Sequence, residues 1–236
     1  MIYFQSIYKV VQWCCSYNNE CNVDYLESMT NKADICVMQN CDDKFLNVVK
    51  NKFKFVFHKK HSKEMSLVIA SNFEFTNPTA HDLPGKNKAT ATEDVNQGSL
   101  SLSVYFKNLQ LVVFQTVFDN EYDQVTITPR DAYKDLKHVF KNIVQGKNCL
   151  IPGNTHDGPY PPTNVKKLFT EANLTSHTDQ LVTFVRINED NITQGCMHDR
   201  VFTRGDVAVS NLQSYHRPIQ SEAHFILTYT LTVKND

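Results

Sequence analysis

The strongest constraint on the fold is an alternating segment near the middle of the chain. Residues 99–106 alternate small polar with apolar side chains, Lys107 and Asn108 interrupt the pattern, and residues 109–114 are largely apolar. An alternation with a period of two places one set of side chains on one face of a β-strand. Two such segments separated by two turn residues predict a β-hairpin.

Strand-like segments continue over the rest of the chain, and helical segments fall between some of them. Strands are predicted at residues 8–13, 33–38, 52–57, 66–70, 73–75, 148–151, 182–187, 201–203 and 225–233. Helices are predicted at residues 24–32, 42–50, 129–145 and 165–173, and long loops at residues 77–96 and 152–162. No change in composition divides the chain. Residues 1–236 are therefore predicted to form one α/β or α+β domain with a mixed sheet and helices outside.

Composition excludes several classes of protein. The 236 residues are 41% hydrophobic, which is enough for a substantial core, and the net charge of −1 gives no general attraction to nucleic acid. Seven cysteines without a CxxC pair are typical of thiols in a reducing compartment. No signal peptide and no apolar run of roughly 18 residues is present. We expect an intracellular protein, cytoplasmic or nuclear, without a membrane partner.

Several short motifs follow predicted strands in a characteristic order. They are Gln12-Trp13-Cys14, Met38-Gln39-Asn40, Gln115-Thr116-Val117, Gly153-Asn154-Thr155-His156, Asp199-Arg200-Val201-Phe202 and Glu222-Ala223-His224. In this order the chain resembles the endonuclease/exonuclease/phosphatase superfamily, and within it the tyrosyl-DNA phosphodiesterase type that removes peptide adducts from 5′ DNA ends. The resemblance implies two mixed β-sheets packed face to face as a sandwich with helices outside. It also implies a site at one edge of the sandwich, built from strand ends and loops.

The resemblance further implies that this site has lost its metal. Cys14 stands where the family has an Asn that helps to position the metal or the phosphate, and Asn40 stands where the family has the Glu that binds Mg²⁺. Val117 stands where the family has a His. The metal carboxylate is thus replaced by an amide.

The motifs of the C-terminal half are changed in the same way. Asn154 replaces the Asp that activates the nucleophile, and His156 replaces the following Asn. His224 is retained, but Ala223 replaces the Asp that would orient it. The Asp199-Arg200 motif is the best preserved.

These changes predict a pseudoenzyme. Mg²⁺ is a hard cation that needs one or two carboxylates, and phosphodiester cleavage depends on the charge of that ion. We therefore expect no catalytic residue, no metal and no cofactor, and a role as a binding or scaffold module for a protein partner or, as a second candidate, a nucleic acid. The alternative is an active metal-dependent phosphodiesterase with a rewired site.

The histidines allow one metal-binding alternative. His156, His198 and His224 would converge at the site if the resemblance holds, and Asp157 or Asp199 would complete a Zn²⁺ site. The opposing interpretation is that His224 is a buried remnant and that the other two histidines are polar groups of loops or strand ends.

Basic residues provide a second set of candidates. Arg200 would either hold a phosphate or form an ion pair with Asp199 that fixes the strand end. Four lysines in one short segment would contact phosphates or a partner, or would form a solvated strand face between phenylalanines. They are Lys52, Lys54, Lys59 and Lys60.

Two further features are ambiguous. Cys14 next to Cys15 is either a nucleophile or redox group or, as we favour, an inert buried thiol. Residues 152–162 form either a recognition surface or an ordinary loop.

Overall fold

A computed structural model describes most of the chain. It covers residues 5–15, 23–60, 65–84, 99–116, 129–155, 163–187, 193–196, 198–215 and 222–234. In chain order the strands are β1 Gln5–Cys14, β2 Ile35–Cys41, β3 Phe55–Lys60, β4 Ser66–Ser71, β5 Thr76–Asp82, β6 Leu100–Phe106, β7 Leu109–Gln115, β8 Cys149–Asn154, β9 Thr175–Ser176, β10 Phe184–Ile187, β11 Thr193–Cys196, β12 Asp199–Arg204, β13 Val207–Tyr215, β14 Glu222–His224 and β15 Ile226–Lys234. The helices are α1 Val23–Thr30, α2 Asp43–Lys52, α3 Pro129–His138 and α4 Thr163–Glu171, and one π-helical turn, Val139–Ile143, continues α3.

The strands form two mixed sheets of six strands and a small third sheet. The first sheet has the order β13-β15-β1-β2-β4-β3, and the second has the order β5-β6-β7-β8-β12-β9. The third sheet has the order β11-β10-β14. In each large sheet one central pair is parallel, β1 with β2 and β7 with β8, while the other pairs are antiparallel.

The two large sheets pack face to face around an aliphatic core. Val37 and Ile69 of the first sheet belong to the same buried cluster as Leu102, Val113 and Leu150 of the second. Separate clusters lie on the outer faces of the sheets, where the helices cover them. The predicted sandwich with helices outside is confirmed.

Helix α2 shows how local sequence defines an element that covers the first sheet. The Asp42 side chain caps its first turn by accepting a hydrogen bond from the backbone N–H of Phe45 at 2.8 Å. Phe45, Leu46 and Val49 form its buried face. The Phe45 ring packs edge-on against Trp13 of β1, with ring centroids 5.1 Å apart.

The second sheet is covered by an aromatic cluster around the π-helical turn. The Phe140 ring lies 6.1 Å from Phe114 of β7 and 5.7 Å from Phe202 of β12. Phe169 of α4 lies 4.6 Å from Phe202, which brings both helices onto the same sheet. The predicted helix beginning at Pro129 is confirmed, although its last turn is π-helical.

Four element predictions are wrong in position. Residues 73–75 were expected to form a strand but lie between β4 and β5. Residues 77–82 were expected in a loop but belong to β5, which tolerates Pro78 because it is an edge strand. The strand expected at residues 52–57 is shifted to Phe55–Lys60, since α2 extends to Lys52. Strand β8 continues through Pro152, Gly153 and Asn154, where a loop was predicted.

Strand β8 accommodates these residues by a gap in one ladder. Its parallel pairing with β7 includes Leu111↔Leu150 and then resumes at Phe114↔Gly153, while its antiparallel pairing with β12 is continuous across Pro152. A proline has no N–H for a ladder, which explains the gap on one side. Gly153 is required because a Cβ at this position would lie 2.3 Å from the Phe114 ring.

Among the described residues, no helix combines the length and the apolar character needed to cross a lipid bilayer.

Candidate functional site

The motif residues lie together at one end of the sandwich because each stands at a strand end. Cys14 ends β1, Asn154 ends β8, His224 ends β14 and Asp199 begins β12, while Asn40 is the penultimate residue of β2. Asp199 and Asn154 are also partners in the antiparallel register of β8 and β12. The predicted site at one sheet edge is thus formed by backbone register.

Cys14 is at the centre of this group. Its Sγ atom accepts hydrogen bonds from the Nδ2 amide groups of Asn40 and Asn154, both at 3.5 Å. Asn40 belongs to the same sheet as Cys14, whereas Asn154 reaches across from the other sheet. All three side chains are buried. Two side-chain amides, one from each large sheet, therefore converge on a sulfur atom.

Asn40 reaches Cys14 because β2 is irregular at this point. The pairing with β4 changes register between Met38 and Cys41, and Asn40 has a φ angle of 48°. Asparagine is one of the few side chains that enter the left-handed region at low cost, and an irregularity of this kind redirects a side chain.

His224 and Asp199 form a buried polar pair. His224 Nδ1 lies 2.7 Å from Asp199 Oδ2, and both side chains are almost fully buried. Burial alone would lower the pKa of His224. The Asp199 carboxylate and the nearby Cys14 side chain act in the opposite direction, and together they hold the pKa of this histidine well above its ordinary value.

This pair corrects an expectation. Replacement by Ala223 was expected to leave His224 without an orienting carboxylate, but Asp199 provides one. The sequence indicated Asp199 only by its position in the best-preserved motif, just before a predicted strand. Its pairing with His224 is a contact between two sheets, and the sequence does not show which residues of two sheets meet. Only the backbone of Ala223 is described, where it pairs with Val185.

Asp199 is held in place by its backbone. Its N–H donates to Thr183 Oγ1 at 2.9 Å, which connects the start of β12 to the residue before β10. Its second carboxylate oxygen, Oδ1, is buried and has no hydrogen-bond partner among the described residues. One carboxylate oxygen of Asp199 is thus buried without a described polar contact.

Three rings surround this end of the site. Phe184 stacks on His198 at a centroid distance of 4.5 Å and lies 4.7 Å from His224, while the two imidazoles are 6.1 Å apart. Trp13 Nε1 donates to the backbone carbonyl of His224 at 3.3 Å. Two of the three histidines proposed for zinc are therefore neighbours, and the third, His156, lies outside the described residues, as does Val117.

Arg200 does not pair with its neighbour in sequence. Its Nη1 atom lies 2.9 Å from Asp179 Oδ1, whereas Asp199 contacts His224. Adjacent residues of a strand point to opposite faces, which accounts for the separate contacts. The expected Asp199–Arg200 ion pair is wrong. The Arg200 side chain is 1% exposed, so its contact with a phosphate remains a prediction.

The lysine segment is divided between the two ends of the first sheet. Lys60 and Cys41 both pair with Ser66 of β4, so Lys59 and Lys60 lie at the same end as the site. Lys60 forms an ion pair with Asp43 at 3.1 Å. The opposite end of β3 begins at Phe55, which follows Lys54 directly.

Lys52 lies at that opposite end, where its ammonium group contacts the backbone carbonyl of Glu27 and the side chain of Asn31. Lys54 is exposed. These two lysines therefore cannot act on one ligand together with Lys59 and Lys60 at the site.

Cysteines outside this group are buried thiols wherever the structure describes their side chains. Burial raises the pKa of Cys15, Cys36 and Cys149 above the ordinary value for a thiol. Cys15 and Cys36 lie near Cys41 on the helix-covered face of the first sheet. Burial of the Cys15 side chain agrees with the expectation for this residue, and Cys36 and Cys149 lie in similar core environments.

The described donors at the site do not fit Mg²⁺. They are a thiol, two amides that donate to this thiol, an imidazole, and one carboxylate that contacts the imidazole. Mg²⁺ prefers hard oxygen ligands in near-octahedral geometry.

Comparisons with known proteins agree with the fold. No family model matches the chain, and no curated protein matches it. The crystal structure of D. rerio TDP2 complexed with single-strand DNA product has a TM-score of 0.70 at 14% identity and covers 96% of this chain and 99% of its own. An endonuclease/exonuclease/phosphatase family protein from Bacteroides thetaiotaomicron has a TM-score of 0.67 at 9% identity, with 98% and 97% covered.

The human Nocturnin catalytic domain with bound sulfate has a TM-score of 0.65 at 14% identity and covers 99% of this chain and 97% of its own. At such identities the likeness concerns the fold. On its strand order, its packed sheets and these structural relatives, the chain has the fold of the endonuclease/exonuclease/phosphatase superfamily.

Proposed function

We propose that the chain is a catalytically inactive phosphodiesterase-like domain, a pseudoenzyme that serves as a binding or scaffold module. One observation supports this proposal above the others. The amides of Asn40 and Asn154, which by the family resemblance stand where two carboxylates would be, both donate to Cys14 Sγ.

The charge of the site explains why this contact argues against hydrolysis. Two amides in place of two carboxylates remove two negative charges from the position where the family holds a hard cation. Phosphoryl transfer relies on positioning and on stabilisation of developing negative charge, for which that cation is the main source.

A protein is the partner that we favour. The net charge of −1 provides no general attraction to phosphates, and the site itself is buried. A nucleic-acid end is the second candidate, because Lys59 and Lys60 lie at the site end of the first sheet.

The hydrolysis test uses the full chain with 5′-phosphotyrosyl DNA, a generic phosphodiester and a phosphoinositide, each in Mg²⁺ and in Mn²⁺. We expect no turnover above the rate without protein. Turnover that disappears in the His224→Ala variant would overturn the proposal.

The binding test separates the two partner classes. If a nucleic-acid end binds, replacing Lys59 and Lys60 with Gln should weaken binding and reduce its dependence on salt. Replacing Lys52 and Lys54 with Gln is the matched control, because it removes the same charge from the other end of the sheet. If the Lys59/Lys60 variant and the Lys52/Lys54 variant weaken binding equally, nucleic-acid binding at the site end of the first sheet is excluded.

The second candidate function is an active phosphodiesterase with a rewired site. The observation that favours it is the buried contact between Asp199 and His224, since a histidine with an oriented ring and a raised pKa is suited to donate a proton. The same assay decides between the two functions.

A further inference from the structure

We propose that Cys14, Asp199 and His224 form a binding site for a borderline divalent cation of the zinc class. None of the three stands at position 40, where the family resemblance places the magnesium carboxylate. The site shares His224 and Asp199 with the zinc arrangement considered from sequence, but it replaces the other two histidines with the Cys14 thiol of β1. It does not depend on whether the chain hydrolyses a phosphodiester.

The geometry of the cluster is close to that of a metal site. One ligand atom from each residue, the Cys14 sulfur, a carboxylate oxygen and an imidazole nitrogen, lies within 4.8 Å of the other two. Tetrahedral zinc with Zn–S of about 2.3 Å and Zn–N of about 2.0 Å holds such atoms roughly 3.5 Å apart. Side-chain movements of about 1 Å therefore complete the contacts. The three side chains come from the strands β1, β12 and β14.

The donor types select the cation. Sulfur and imidazole nitrogen are the ligands of zinc and related ions, whereas Mg²⁺ and Ca²⁺ prefer oxygen. A thiolate and a carboxylate together carry two negative charges, which match a divalent cation in a site where all three side chains are at most 3% exposed. A buried charge is stable only when it is compensated.

The contact between Asp199 and His224 already brings two of the three donors together. His224 Nδ1 lies 2.7 Å from Asp199 Oδ2, and a cation bound by both residues would take Nδ1 in place of the proton that this contact shares.

Two further observations point to a cation rather than to a closed polar cluster. Asp199 Oδ1 is buried without a hydrogen-bond partner in the described part of the chain, which costs free energy unless another group compensates it. The amides of Asn40 and Asn154 both donate to Cys14 Sγ, so they lie directly next to the sulfur that a cation would take. They would act as the outer shell of the site.

Three protein ligands leave one tetrahedral position for an exogenous group. In zinc sites such a position is filled by water or by an oxygen of a bound ligand. The site would therefore accept an anionic oxygen, such as that of a phosphate or a carboxylate, next to the cation.

The test is a titration of the full, reduced chain with Co²⁺, followed by displacement with Zn²⁺. We expect one cobalt ion per chain and a thiolate-to-cobalt charge-transfer absorption that disappears when zinc is added. Cys14→Ser should abolish this absorption and weaken zinc binding by roughly 100-fold or more, and Asp199→Asn should weaken it by roughly 10- to 100-fold. Circular dichroism and thermal unfolding of each variant show that it is folded.

The matched controls are other buried thiols. Cys149→Ser should leave the absorption unchanged, because Cys149 contacts Gln110 and the Gly146 carbonyl on the helix-covered face of the second sheet. An absorption that persists in Cys14→Ser but is lost in Cys36→Ser would place the metal in the thiol group of Cys15, Cys36 and Cys41 and overturn the proposal. Absence of the absorption in the unaltered chain would also overturn it. Neither result bears on the proposed pseudoenzyme, which only the hydrolysis assay tests.

Discussion

Asp199 Oδ2 lies 2.7 Å from His224 Nδ1, although 25 residues separate the two in sequence. The contact joins the first residue of β12, in the second large sheet, to the last residue of β14, in the small sheet. It is the only buried ion-pair geometry among the described residues in which both side chains are essentially inaccessible to solvent. Removing one partner should therefore have measurable effects.

The first prediction concerns this pair. Asp199→Asn keeps the shape but removes the negative charge, so the pKa of His224 should fall, as measured by NMR titration of its ring. The free energy of unfolding should fall by about 1–3 kcal/mol, because a buried group loses its charged partner. Asp82→Asn removes the same charge from an exposed strand position and should change stability by less than about 0.5 kcal/mol. An unchanged His224 pKa would contradict the pairing.

The second prediction concerns the close approach of β8 to β7. Gly153→Ala places a methyl group against the Phe114 ring and should lower the free energy of unfolding by about 1–3 kcal/mol, as measured by chemical denaturation. Gly195→Ala is the control, since its nearest neighbours are the Val182 methyl groups at 3.2 and 3.3 Å. Adding Phe114→Leu to Gly153→Ala should recover part of the loss. Equal losses for the two glycine variants would argue against the tight contact.

The third prediction concerns the start of α2. Asp42→Ala removes the side chain that accepts the Phe45 N–H and should destabilise the protein by about 1 kcal/mol in equilibrium unfolding. Asp42→Asn retains a capping oxygen and should be close to neutral. If both variants lose the same stability, charge rather than capping is responsible.

The fourth prediction concerns pH. Burial lowers the pKa of His177, with Asp179 opposing part of the shift, while His177 Nε2 lies 2.8 Å from Thr203 Oγ1. A histidine whose folded pKa lies below its unfolded value of about 6.5 takes up protons more readily when unfolded. Stability should therefore decrease as the pH falls below about 6.5, and the loss should level off below the folded pKa.

His177→Asn should reduce this loss of stability at acid pH. Thermal unfolding measured from about pH 5 to about pH 8 covers the range in which the loss is expected. The same variant at pH 8 serves as the control, because His177 is neutral there in both states. A steeper acid-side loss in the variant would contradict the assignment.

Sequence alone predicted those elements whose signals are local. The alternating residues before and after Lys107 and Asn108 predicted the hairpin of β6 and β7, and Pro129 marked the start of α3. Motif order also indicated the fold. It placed Cys14 and Asn154 at strand ends because each follows a strand-like segment, and it placed His224 directly before the strand predicted at residues 225–233.

Tertiary structure alone decided what these strand ends contact. The sequence predicts loops at Pro78 and Pro152, but both lie in strands. Pro78 is tolerated because β5 is an edge strand, and Pro152 is tolerated because the pairing of β8 with β7 is interrupted there. The carboxylate that orients His224 comes from Asp199 rather than from the neighbouring position in sequence, and the amides of Asn40 and Asn154 meet on Cys14 from two sheets. The repeat of hydrophobic residues along a strand or helix and the residues that favour turns act over a few positions, so they can be recognised in a sequence. Contacts across a sandwich depend on strand register and sheet packing, which the whole chain sets together.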